Sequence, residues 1–174
     1  MKRRYNKIKR EKEGGIFLEY EQSRDKSEGW DSYTLRTKDE PLPSFEKVFK
    51  ELAEHAVDLC ELPESDIAEG RVEVRSVSFS YGGDKEVMGA VISAVRTLKR
   101  SNSPLNLNTP HKPSEPYSDP VDGGSEKLTE KSLLDPECVE ALKKLCKEAD
   151  RFLGGHRQQT DLFAEPAGSV KKAA

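Results

Sequence analysis

The run Arg71-Val72-Glu73-Val74-Arg75-Ser76-Val77-Ser78-Phe79-Ser80-Tyr81 decides the fold class. Apolar side chains take alternate positions, first Val72 and Val74, then Val77, Phe79 and Tyr81. A period of two is that of a strand. The two sets differ in parity, so either both faces are partly covered or a bulge lies near Arg75-Ser76. Gly82-Gly83-Asp84 supplies a turn, and Val87 to Leu98 reads as the returning strand. Met88, Ala90, Ile92 and Ala94 fall on one side of it and Val91 and Val95 on the other. Apolar residues on both faces place this hairpin centrally in a sheet.

Upstream, residues 5–38 read as two or three more strands. Tyr5, Lys7 and Lys9 alternate with Asn6, Ile8 and Arg10, a weak signal. Gly14-Gly15 is a hairpin-type turn before the better strand Ile16-Phe17-Leu18-Glu19-Tyr20. Trp30 to Thr37 puts Tyr33 and Leu35 on one face. Strands this close in sequence form an antiparallel meander most simply. A helix follows, with Ser44 as its expected N-cap and Leu62-Pro63 closing it. Its apolar stripe is Phe45, Val48, Phe49, Leu52, Ala56, Leu59 and Cys60, which suits packing on one sheet face.

Downstream, Ser101 to Gly124 is rich in Pro, Ser and Asn and reads as extended linker, with Leu105 and Leu107 placed to pair along a sheet edge. Asp135-Pro136-Glu137 opens a second helix: a capping acid, then Pro at the first helical position. Its stripe is Val139, Leu142, Leu145, Cys146, Ala149, Phe152 and Leu153, and Gly154-Gly155 stops it. Such a helix needs an apolar partner, either the sheet or a second copy. The expected organisation is an α+β domain over 1–100 with a basic N-terminal arm, a linker over 101–134, a helix over 135–153 and a flexible tail over 154–174. The sheet is expected to be mainly antiparallel, with about five strands and one packed helix.

The chain has 174 residues, 34% of them hydrophobic and 35% charged, so part of it is too polar to enter a core. Net charge is only −3, yet Lys2, Arg3, Arg4, Lys7, Lys9, Arg10 and Lys12 crowd the N-terminus. The cluster suits contact with nucleic-acid phosphates, and reads equally as a solvated basic arm or edge strand. Three cysteines without metal spacing fit free thiols in a reducing cytoplasm. No signal peptide is visible, and no apolar run reaches the roughly 20 residues that span a bilayer. No cofactor and no metal are expected. Gly82-Gly83-Asp84-Lys85 lacks phosphate-loop spacing and is a turn. His111 and Glu115 hint at acid–base chemistry, but Pro110, Pro113 and Pro116 favour a contact strand lying over the domain. No catalytic residue is assigned, and the chain is expected not to be an enzyme.

The tail carries Gln159-Thr160-Asp161-Leu162-Phe163. It resembles the pentapeptide by which bacterial replication and repair proteins dock on the DNA polymerase sliding clamp: Gln, any residue, Asp or Ser, Leu, Phe. Gln159, Asp161, Leu162 and Phe163 match the specified positions. A chance match of three fixed identities arises on the order of once in 8,000 positions. The resemblance implies that Leu162 and Phe163 fill an apolar pocket, Gln159 anchors the upstream end and Asp161 orients the peptide. The runs Val77 to Gly83, Met88 to Ala94 and Pro104 to Pro113 are similar to uncharacterised early-region proteins of temperate phages and prophages of Gram-positive bacteria. That resemblance implies a bacterial cytoplasm and a neighbourhood of DNA metabolism. The expected function is a non-enzymatic phage accessory protein that docks on the host clamp, in or against replication or recombination. The alternative is a nucleic-acid- or nucleotide-binding module, acting against host defence, with Lys2 to Lys12 and the aromatics Tyr5, Tyr20 and Tyr33 as its surface and the tail incidental.

Overall fold

The computed structural model describes residues 2–24, 29–117 and 130–158. The central hairpin forms from β4 (Val72–Gly82) and β5 (Val87–Arg96), paired antiparallel. Its parity change is a bulge: the register shifts between Val74 and Ser76, and Val74 and Val77 both enter the core. Upstream, β1 (Arg3–Arg10), β2 (Ile16–Ser23) and β3 (Trp30–Thr37) make the expected meander.

The basic segment is neither an arm nor an edge. Strand β1 lies inside the sheet, between β2 and β4, with Lys7 opposite Ser78, Ile8 opposite Val77 and Lys9 opposite Ser76. Its sequence signal was weak because the β1–β2 register shifts between Tyr5 and Lys7. The buried residues Tyr5 and Ile8 therefore stand at a spacing that simple alternation does not produce. Where β1 and β4 separate, the Tyr81 hydroxyl fills in for the ladder. It accepts from Tyr5 N and donates to Tyr5 O, each at 3.1 Å.

Directly opposed residues share a sheet face. One row runs Leu35, Leu18, Ile8, Val77, Ile92, all buried but the half-buried Leu35. The adjacent row, Arg36, Phe17, Lys9, Ser76, Ser93, belongs to the opposite face. Helices cover the first face only. Helix α1 (Pro43–Leu59) buries Phe45, Val48, Phe49, Leu52 and Ala56, as its stripe requires. Its N-cap is Leu42, not Ser44, because Pro43 already holds the first helical position. The Ser44 hydroxyl instead donates to Glu148 at 2.7 Å, tying this helix to the C-terminal one. A one-turn helix, α2 (Ser65–Ala68), carries the buried Asp66, which faces Arg71 at 2.9 Å and Arg96 at 2.7 Å. It fastens the start of β4 to the end of β5.

The predicted linker is partly sheet. Strands β6 (Leu105–Asn108) and β7 (Lys112–Pro113) run along β5 and raise the count to seven. Between them Thr109 N donates to Ile92 O at 3.0 Å and the Thr109 hydroxyl accepts from Ile92 N at 2.9 Å. The edge pairing of Leu105 and Leu107 is as expected; β7 is the addition, and its Pro113 is tolerated because an edge position accepts a residue without an N–H. Helix α3 (Pro136–Leu153) is part of the same core. Its cap Asp135 accepts from Glu137 N at 3.0 Å, and it buries Cys138, Ala141, Leu142, Leu145, Ala149 and Phe152. The Phe152 ring meets Phe45 edge-on at 6.3 Å.

Because Leu145 is fully buried, Leu145→Ala should lower unfolding free energy by about 2–5 kcal/mol in urea titrations. The exposed Lys143→Ala should change it by no more than about 0.5 kcal/mol. Equal midpoints for the two variants would remove α3 from the core.

Candidate functional site

The cations of the N-terminal cluster divide among three environments. Arg3 reaches Asp150 of α3 at 3.1 Å. Arg10, at the strand end, reaches Glu46 of α1 at 2.8 Å and Glu73 of β4 at 3.2 Å. Arg4 pairs with Glu21 at 2.5 Å and Glu86 at 2.8 Å, and its guanidinium stacks 4.3 Å from the Trp30 ring. Lys2 also pairs with Glu86, at 3.2 Å. Lys9 keeps a looser contact with Glu11 at 3.6 Å, and Lys7 and Lys12 have no ion pair among the described residues. The structure therefore does not bring the predicted set together as one surface. The tyrosines run outward from the core: Tyr5 is buried, Tyr20, 5.9 Å from it, is half-buried, and Tyr33, 5.4 Å from Tyr20, is exposed. Tyr5 is buried and donates to Asp150 at 2.7 Å; burial first, and then this carboxylate, raise its phenol far above the ordinary range.

A different cationic surface forms on the open face. A cleft of about 800 Å³ is lined by Lys9, Lys12, Arg36, Lys38, Arg75 and Asn106, among others. Glu11 lies between two of its cations, 3.6 Å from Lys9 and 3.4 Å from Arg36, and Arg75 meets Glu73 at 3.0 Å. The Arg36 guanidinium lies 5.4 Å from the Phe17 ring, with 68% of its side chain exposed. Lys9 and Lys12 came from the sequence cluster, whereas Arg36, Lys38 and Arg75 were missed. They sit at the far end of β3 and in the β4 bulge, and only strand register gathers them. Strand parity held the usable signal, since Arg36 falls opposite Phe17 and away from Leu35.

The proline-rich segment crosses the other end of the β4–β5 hairpin. His111 Nε2 lies 2.6 Å from Ser80 Oγ, directly over Gly89, where an added Cβ would stand 2.6 Å from that nitrogen. Tyr117 lies over Gly82 in the same way. Glycine at both positions lets the segment approach the backbone. His111 thus bonds Ser80 and not Glu115, and among the described residues no carboxylate bonds its other nitrogen. All three cysteines are free. Burial pushes the Cys138 thiol up to about 11 and the Cys146 thiol up to about 12.

Gln159, Asp161, Leu162 and Phe163 lie outside the described residues. The segment leading to them is fixed to the domain. After Gly154-Gly155, Arg157 bridges Pro41, pairs with Asp39 and stacks 4.6 Å from the Phe152 ring. Gln158 N donates to Glu40 O at 3.0 Å.

No protein-family model, no curated protein and no solved structure matches the chain. Among the described residues no helix is long and apolar enough to cross a membrane.

Raised thiol pKa values leave little thiolate, the nucleophilic form, near neutral pH. Native protein treated with iodoacetamide near neutral pH should leave Cys138 and Cys146 unmodified by mass spectrometry, with both labelled in denaturant. Rapid native labelling of Cys146 would contradict the α3 packing.

Proposed function

We propose that the chain is a non-enzymatic accessory protein that docks on the bacterial DNA polymerase sliding clamp through Gln159, Asp161, Leu162 and Phe163. The observation that carries the reading is the position of the pentapeptide. It matches the docking pattern at every specified residue and begins immediately after Gln158, which is pinned to Glu40 on the domain surface. The anchor supports the reading because a peptide tethered at a defined point pays less entropy on docking than one on a long loose linker. Leu162 and Phe163 supply the apolar contacts, about 1.5–3 kcal/mol for each side chain fully buried. Docking would carry the domain to sites of DNA synthesis in the bacterial cytoplasm, or occupy the pocket that the host polymerase needs. The similarity to early-region proteins of temperate phages supports either use.

The test is retention of purified bacterial clamp by the immobilised intact chain, against a Leu162→Ala/Phe163→Ala double variant. The variant should bind about a hundredfold more weakly or worse. Equal retention by both proteins would sink the reading.

A further inference from the structure

We infer that the open face of the sheet binds single-stranded nucleic acid, with the cationic cleft between the end of β3 and β6 as its centre. The chain is acidic overall, at net charge −3, yet this cleft gathers Lys9, Lys12, Arg36, Lys38 and Arg75. Its acids are fewer: Glu11 is shared between Lys9 and Arg36, Glu13 also lines the cleft and Glu73 meets Arg75, whereas Lys12 and Lys38 have no ion pair among the described residues. Such an excess is maintained against mutual repulsion and suits a polyanion. Lys7 extends the line of charge along the same face, in the row Thr34, Glu19, Lys7, Ser78, Val91.

The face also carries what a single strand offers contacts for. The Arg36 guanidinium, 5.4 Å from the Phe17 ring and largely exposed, sets a cation beside an aromatic ring, a pairing against which an unpaired base can stack. The exposed amides of Asn106 and Asn108 add hydrogen-bonding groups along the β5–β6 border, where the Ser93 hydroxyl donates to the Asn108 side-chain oxygen at 2.7 Å. A duplex hides its bases and would use only the charge. A cleft of about 800 Å³ takes a few nucleotides of an extended strand, with phosphates on the lysines. This differs from the N-terminal cluster acting as one basic arm: Arg3 is held by Asp150 of α3, and Arg10, at the cleft margin, by Glu46 of α1 and Glu73 of β4.

The experiment is a fluorescence-anisotropy titration of labelled oligothymidylate with the full chain, at low and at physiological salt. Binding should weaken as salt rises, as counterion release demands. Lys9→Gln/Arg36→Gln/Arg75→Gln should weaken it by on the order of tenfold or more, with the fold checked by circular dichroism. Lys47→Gln/Lys50→Gln/Lys143→Gln, exposed on the helices, should leave it unchanged. If the triple cleft variant does not fold, Arg36→Gln alone, at a largely exposed side chain, should still weaken binding by about threefold. The Leu162→Ala/Phe163→Ala variant should bind the oligonucleotide like the parent, which separates this inference from clamp docking. No salt-sensitive binding, undiminished binding by the folded cleft variant, or equal affinity for a duplex or for free thymidine monophosphate would overturn it.

Discussion

A strand as basic as β1 occupies the middle of the sheet, and most of the structure answers to that placement. Its backbone is held on one side by β2 from Arg3 to Arg10 and on the other by β4 at Lys7 to Lys9, with the Tyr81 hydroxyl completing the pairing at Tyr5. Two side chains, Tyr5 and Ile8, anchor it in the core. Burying each contributes about 1.5–3 kcal/mol, whereas partly exposed ion pairs such as Arg3–Asp150 contribute about 0–1 kcal/mol. The apolar anchors and the ladder therefore hold the strand. The acids of α1, α3, β2 and the β4–β5 turn mainly make its charges tolerable.

The hairpin, its bulge, both long helices and even the edge pairing of Leu105 and Leu107 were legible in the sequence, because each rests on local periodicity or local capping. Position within the sheet was not. Tyr5 and Ile8 are separated by a bulge that breaks the alternation, and a cluster of cations resembles a solvated arm until its partners, distant in sequence, are in place. Likewise α3 looked separable because the long polar stretch before it resembled a linker, although Leu134 N donates to Pro113 O beside β7 and the helix packs on α1. The cationic cleft was half visible. Lys9 and Lys12 are neighbours in sequence, whereas Arg36 and Arg75 join them only through the register of β3 with β2 and of β4 with β1.

The two faces of the sheet have divided labours. One takes the apolar side chains of α1 and α3; the other keeps cations that the fold leaves incompletely paired. The chain after α3 comes back to Asp39, Glu40 and Pro41, next in sequence to Lys38 of the cleft. A docking peptide that starts there would hold the clamp close to the cleft. The proposed tether and the proposed single-strand surface are thus neighbours, which suits a protein whose weak nucleic-acid contacts gain from local concentration.

All of this depends on β1 being an interior strand. Native-state hydrogen exchange followed residue by residue tests it most directly. The Lys7, Ile8 and Lys9 amides should exchange as slowly as those of Val77 and Ile92, through global unfolding. Exchange of the β1 amides at the rate of an exposed loop, while β4 and β5 stay protected, would contradict the account.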